Sequence, residues 1–235
     1  MIFNNPNLIC AFSKRPQNMS LAYGDTKDSI NNRKGFLNEL GIDYRALVCA
    51  RQVHGSFVRY VQEEDKGKGA LSYTTALPDT DALITNARNV PLAVFTADCL
   101  PIFLYDSNTS SLGLVHAGWR NSQVNITAKT VQLMQERFNT KTKDLYVGFG
   151  PCIRNCCYEV GREFRDYFRY GLLERNACYY LDLAEINKNQ LLDLGVSDIN
   201  IFDSKICTSC KNQEFFSYRK EGKSCGRMMS VLMLK

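Results

Sequence analysis

The chain has 235 residues, 45% of them hydrophobic and 23% charged, so it can bury a full core and is neither disordered nor fibrous. Its 29 Lys and Arg against 24 Asp and Glu leave a formal charge of +5, dispersed along the chain rather than clustered. That speaks against a nucleic-acid face and remains compatible with a small anionic ligand.

The start, "MIFNNPNLICAFSKR", lacks the basic, apolar and small-residue regions of a signal peptide. "DSINNRKGFLNELGI" carries Ile30, Phe36, Leu37 and Leu40 at helical spacing and stops at Gly41, which predicts a short helix. "ALVCARQVHG" reads as a strand entering a loop, and the polar, glycine-bearing segment 62–80 as an exposed loop. "DALITN" is a short strand. "PLAVFTADCLPIFLYD" reads as two strands, or a strand and a bend, around "TADCLP". It is the longest apolar stretch, and an acid and a proline break it, so no membrane span is expected. "SLGLVHAGW" predicts another strand, "SQVNITAKTVQLMQERF" an amphipathic helix, and "DLYVGFGPCI" a strand running into a Gly-Pro turn. "REFRDYFRYGLL" and "LAEINKNQLLDLG" read as helical, and "DINIFDS", "EFFSYR" and "RMMSVLML" as strands. Helices and strands mix without strict alternation, which predicts an α+β fold with a mixed sheet. With no repeat or linker in view, residues 1–235 read as one domain.

Three side chains stand at the end or bend of a predicted strand: His54 in "QVHG", Cys99 in "TADCLP" and His116 in "VHAGW". The chain has only two histidines, and both fall in this setting. Two imidazoles and one thiolate suit a catalytic zinc, which takes three protein ligands and leaves a position open. A single histidine on an apolar face is commonly just a satisfied core residue, so it is the joint pattern that carries weight. "CTSC" (207–210) has metal-knuckle spacing, and "CIRNCC" (152–157) offers a second group with the wrong gap for a zinc ribbon. Ordinary reduced thiols in a cytoplasm are the simpler reading of the ten cysteines, because a chain of this size does not need disulfides. Neither histidine is followed two places on by Glu, which excludes the zinc nucleobase deaminases of the HxE type.

"RQVHG", "TDALIT", "FTADCLPIFLYD", "VHAGWR", "GPCIRNCCYEVG", "DLAEINKNQLLDLGV" and "FFSYRKEGKSCGRM", in this order, resemble the multicopper-oxidase-like laccase-domain family. Its bacterial members are described as purine nucleoside phosphorylases or peptidoglycan editing factors. The resemblance implies a single-domain α/β/β/α sandwich, similar to Cys/His toxin-like hydrolases. It also implies that His54, Cys99 and His116 are the catalytic metal ligands. The implied activity is phosphorolysis of adenosine, inosine, guanosine and methylthioadenosine to base and pentose 1-phosphate, with adenosine deamination alongside. Zinc is the implied metal, with copper the lesser alternative. A zinc held by one thiolate and two neutral imidazoles keeps a net positive charge that can orient phosphate or activate water. Arg33 and Arg51 are candidates to bind phosphate, and Asp98 to hold a ligand histidine or move a proton. Near the N-terminus "SKRPQNMSLAYGD" departs from the family's "TRxGGxS" pattern, with Gln17 and Asn18 at the glycine positions and Ala22 at an asparagine position. Three rivals remain on the residues alone: a copper-dependent polyphenol oxidase, a metal-free Cys/His amide hydrolase acting on cell-wall precursors, and a binding module that is not an enzyme and keeps only a vestigial site.

Overall fold

In the computed structural model, residues 5–235 are described. The strands, in chain order, are β1 (Leu8–Phe12), β2 (Val48–Cys49), β3 (Val58–Tyr60), β4 (Ala82–Thr85), β5 (Leu92–Thr96), β6 (Leu100–Asp106), β7 (Ser111–Ala117), β8 (Leu145–Phe149), β9 (Glu159–Val160), β10 (Leu172–Arg175), β11 (Cys178–Leu181), β12 (Ile201–Asp203) and β13 (Met228–Leu234). The helices are α1 (Thr26–Glu39), α2 (Trp119–Gln123), α3 (Ile126–Phe138), α4 (Phe164–Tyr167), α5 (Leu183–Asp193) and α6 (Tyr218–Glu221). A four-stranded sheet runs β1-β13-β5-β2 and a six-stranded sheet runs β12-β8-β6-β7-β4-β3, while β10-β11-β9 forms a small third sheet. Both larger sheets are mixed: β2 with β5, β3 with β4 and β12 with β8 are parallel pairs, and the other pairs are antiparallel.

Period-two alternation explains the layering, because successive strand residues face opposite sides of a sheet. Leu92 and Val94 of β5 join Leu232 and Leu234 of β13 in a core shared with Phe103, Tyr105, Leu112 and Leu114 of the six-stranded sheet. Their neighbours Ala93, Val231 and Met233 face the other way and pack with Leu37 of α1. Ile102 and Leu104 of β6 pack with Val131 and Met134 of α3 and Ile186 and Leu191 of α5. The order is therefore helix, four-stranded sheet, six-stranded sheet, helices. This is the expected α/β/β/α sandwich. α1 starts where Asp25 accepts a hydrogen bond from the Asp28 N–H, and α5 where Asp182 accepts from Ala184 and Glu185, both side chains capping open N–H groups.

Several predicted elements change. In the segment read as the helix "REFRDYFRYGLL", only Phe164–Tyr167 is helical, and β10 begins at Leu172, where pairing with β11 overrides local propensity. "EFFSYR" is not a strand: Phe215 and Phe216 are both buried in irregular backbone that leads into α6. The segment read as an exposed loop, 62–80, buries Ala70, Ala76, Leu77 and Thr80 under short 3-10 turns. No helix among the described residues is long and apolar enough to cross a membrane.

Candidate active site

β5 and β6 belong to different sheets, and the chain passes between them through Ala97, Asp98 and Cys99, so Cys99 lies at the seam of the sandwich. His116 is near the end of β7, opposite Pro101 of β6. His54 sits in the loop between β2 and β3 with a left-handed backbone, φ 58°. The donor atoms of all three lie within 4.8 Å of one another, Cys99 Sγ is 3.7 Å from His54 Nε2, and the two imidazoles meet edge to face at 4.7 Å. The spacing in sequence is long, and the fold closes it.

Asp81, fully buried beside the start of β4, organises the three. Its Oδ1 accepts from the His54 N–H at 3.0 Å and lies 2.7 Å from His116 Nδ1, while Oδ2 accepts from the N–H groups of Val53 and Gly55 at 3.1 and 2.8 Å. One carboxylate thus shapes the "VHG" turn and compensates a backbone conformation that costs a non-glycine residue about 1–3 kcal/mol. It also holds His116 by Nδ1, leaving Nε2 for a ligand, which is how outer carboxylates orient metal-binding histidines. Burial works against the charge on Asp81, but His116 and the backbone N–H donors outweigh it and keep the carboxyl below its ordinary pKa. Gly118 has to be small here: a Cβ would come within 3.0 Å of the His54 ring and 3.1 Å of Cys99 Sγ.

Cys99 and His116 adjust each other. Burial alone would raise the Cys99 thiol, yet the charge of His116 and hydrogen bonds from both imidazoles bring it down to about 6. For His116, burial opposes the charged ring, and Cys99 and Asp81 together raise it to about 9. Without a metal the pair is a thiolate beside an imidazolium, and a metal would take the place of that proton.

The three donors open into a cavity of about 680 Å³. Its walls carry Tyr23, Phe95, Trp119, Tyr158 and Tyr218, flat faces suited to an aromatic ring, with Arg120, Arg219 and Arg227 among them. None of these three arginines is in an ion pair among the described residues. They stack on Trp119, Tyr158 and Tyr23 at 4.3, 5.2 and 4.3 Å. The residues singled out beforehand are placed differently. Arg33 lines the cavity, but it is buried and donates from Nε to the carbonyl of Met19 and from Nη1 to those of Gly69 and Ala70, so it braces the loops behind the cavity. Arg51 lies outside the cavity lining, 3.9 Å from Asp79. Asp98 holds no histidine; its carboxylate accepts from Thr208 Oγ1, Ser217 Oγ and the Arg219 N–H at 2.6, 3.1 and 2.7 Å. The histidine-holding carboxylate is Asp81. Its sequence signal is the acid of "TDALIT", and that of Arg120 is the arginine of "VHAGWR". Leu21, Ala22 and Tyr23 of the divergent "SKRPQNMSLAYGD" segment also line the cavity.

A family model described as multi-copper polyphenol oxidoreductase laccase matches residues 11–235. The chain is 37% identical over 225 residues, 92% of its length and 82% of the relative's, to "Purine nucleoside phosphorylase YlmD" of Geobacillus stearothermophilus. It is 32% identical over 206 residues, 84% of this chain and 78% of the relative, to "Adenosine deaminase RL5" of an unknown prokaryotic organism. The crystal structure of YlmD from Geobacillus stearothermophilus superimposes with a TM-score of 0.95 at 34% identity, covering 98% of this chain and 93% of that one. The Bacillus licheniformis protein YfiH superimposes with a TM-score of 0.92 at 33% identity, covering 97% of this chain and 93% of that one. The seven ordered motifs, the sandwich and these matches agree: the chain belongs to the multi-copper polyphenol oxidoreductase laccase family.

Proposed function

We propose that this chain is a zinc-dependent purine nucleoside phosphorylase of the cytoplasm, with adenosine deamination as a second reaction in the same cavity. The observation that carries the reading is the convergence of His54, Cys99 and His116 on an aromatic cavity furnished with unpaired arginines. Relatives named for both activities support it. Held by His54, Cys99 and His116, zinc would supply a net positive charge able to polarise a phosphate or water oxygen. The chain supplies the rest. Trp119 and Tyr158 offer ring faces to a purine, and Arg120, Arg219 and Arg227 offer charge to phosphate. Asp81 fixes the His116 tautomer. Leu21, Ala22 and Tyr23 bring the divergent segment against the substrate, so we infer a narrower nucleoside range than in relatives carrying the glycine pair. The deciding experiment incubates metal-replete protein with adenosine, inosine, guanosine or methylthioadenosine, with and without phosphate, and separates products by chromatography. Free base together with pentose 1-phosphate, formed only with phosphate, is the expected result. Absence of product from every nucleoside would refute the reading.

Copper-dependent polyphenol oxidation does not suit the donor set, because a laccase needs several coppers and many histidines, and this chain has two. One observation favours a second reading: Asp81, His116 and Cys99 are wired like a nucleophile with its base and orienting acid, and the thiol is already lowered to about 6. A metal-free amide hydrolase acting on cell-wall precursors would trap an acyl group on Cys99, and intact-mass analysis of protein mixed with such an amide would reveal the adduct.

A further inference from the structure

Outside the cavity, a second group of metal-ligating side chains comes together. Cys156 and Cys157 stand on the turn after "GPCIRN", and Cys207 and Cys210 on the turn that follows β12. The two turns are joined by backbone hydrogen bonds, Cys152 N–H to the carbonyl of Ile206 at 3.2 Å and Thr208 N–H to the carbonyl of Cys152 at 3.0 Å. The four sulfurs lie within 4.8 Å of one another, with Cys210 Sγ 3.6 Å from Cys156 Sγ and 3.3 Å from Cys157 Sγ. In a tetrahedral thiolate site with zinc–sulfur bonds of about 2.3 Å, neighbouring sulfurs are about 3.8 Å apart. The observed cluster has that size.

We propose that Cys156, Cys157, Cys207 and Cys210 form a second, structural metal site that binds one zinc-class divalent cation through four thiolates. "CTSC" has the two-residue gap of a metal knuckle, and the backbone N–H groups of Cys210 and Arg154 point at the Cys207 sulfur, stabilising a thiolate there. The second pair is adjacent in sequence, a spacing that does not announce a knuckle. The turn closed by the N–H groups of Cys157 and Tyr158 on the carbonyl of Arg154 brings both of its sulfurs to Cys210. Burial opposes ionisation of Cys207, but the hydrogen bonds it accepts lower its pKa, whereas burial and the neighbouring thiols raise that of Cys156. A dication lets all four ionise, releasing protons to solvent as the metal–sulfur bonds form, with no change of oxidation state. A disulfide would employ only two of the four sulfurs and leave the convergence of the others unexplained.

The consequence reaches the cavity. The turn carrying Cys207 also carries Thr208, which donates to Asp98, and the loop carrying Cys156 carries Ile153, whose N–H donates to the Asp98 carbonyl at 2.9 Å. Asp98 precedes Cys99, and both Ile153 and Tyr158 line the cavity. The cluster therefore clamps two loops that shape the floor beneath Cys99, while sharing no ligand with His54, Cys99 and His116.

The test counts metal and does not depend on nucleoside turnover. The full chain, purified under reducing, oxygen-free conditions, should carry two zinc per chain by elemental analysis. The triple variant His54→Ala, Cys99→Ala, His116→Ala should keep one. When that variant is loaded with cobalt, its sulfur-to-metal charge-transfer absorption should have the intensity of a four-thiolate site. Adding Cys207→Ser and Cys210→Ser should abolish it. Native mass spectrometry of the wild-type chain gives the same count if the multiple variants fold poorly. A triple variant that holds and takes up no metal overturns the proposal, as does a Cys157–Cys210 disulfide found by peptide mapping after thiol trapping in cells.

Discussion

Replacing Asp81 by asparagine tests how the site is held, because the two side chains have the same shape and differ in hydrogen-bonding capacity. The carboxylate accepts from five donors: His54 N–H, His116 Nδ1 and, more distantly, Asn121 Nδ2 on Oδ1, and the N–H groups of Val53 and Gly55 on Oδ2. An amide has one acceptor oxygen, so at least two donors must face its NH2 group whichever way it turns. With the oxygen in the Oδ1 position, the N–H groups of Val53 and Gly55 lose their acceptor. With the amide reversed, His54 N–H and the Asn121 amide lose their acceptor and His116 Nδ1 has to accept, which moves the ring proton to Nε2, the nitrogen needed for a ligand. A buried donor left unsatisfied costs about 1–3 kcal/mol, so the variant should lose on the order of 2–6 kcal/mol of folding stability. Disturbing the partner of a ligand histidine typically weakens metal binding about 10–100-fold, or ~1.4–2.8 kcal/mol. Denaturant unfolding of metal-free protein and zinc titration against a competing chelator measure the two effects. Unchanged zinc affinity in Asp81→Asn would refute the role given to this carboxylate.

The pKa values of Cys99 and His116 fix a proton count. Between about pH 6 and 9 the metal-free pair is thiolate and imidazolium, so metal binding must expel the His116 proton and weakens about tenfold per unit as pH falls through this window. Calorimetry in buffers of different ionisation enthalpy, on the Cys207→Ser, Cys210→Ser variant so that only the histidine-bearing site takes metal, should find that proton near pH 8. Arg120→Ala and Arg227→Ala should raise the KM for phosphate, and Arg51→Ala, removing a half-exposed ion pair worth about 0–1 kcal/mol, should change neither KM nor stability by much. Arg33→Met should instead destabilise the fold by about 2–5 kcal/mol, since it strips three buried carbonyls of their donor. Because phosphate would occupy the same floor as the water of deamination, inosine formation from adenosine should fall as phosphate rises; a rate independent of saturating phosphate would separate the two reactions.

The fold was legible wherever a strand or helix carries its own pattern. β5, β6 and β7 follow from the short apolar runs in "PLAVFTADCLPIFLYD" and "SLGLVHAGW", and α1, α3 and α5 from the three segments read as helical. The misread elements are those whose state is set by distant partners. "EFFSYR" carries two consecutive buried aromatics that imitate a strand, and β10 exists only because β11 pairs with it. His54, Cys99 and His116 could be singled out because histidine is scarce in this chain. Asp81 could not, because an aspartate before a short strand looks like an ordinary turn residue, and only the antiparallel register of β4 with β7 brings it under His116. The sulfur cluster was obscured for a similar reason. Knuckle spacing is a property of one turn, and a ligand pair made of adjacent residues has none.

The position of His54 favours a metal over a nucleophilic thiol. A cysteine nucleophile needs one base and one orienting acid, and His116 with Asp81 meets that need. A second imidazole 3.7 Å from the sulfur then has no task, yet its loop is held in a strained left-handed turn by three hydrogen bonds to Asp81. Strain of that kind persists only where the surroundings fix it, and here one buried carboxylate serves both histidines. A ligand set needs this arrangement, because its donors must keep their mutual distances when the cation is absent. The space denied by Gly118 points the same way, since any larger residue would push His54 and Cys99 apart without touching the pairing of His116 with Asp81. The two histidines, and the glycine wedged against His54 and Cys99, keep three donors together.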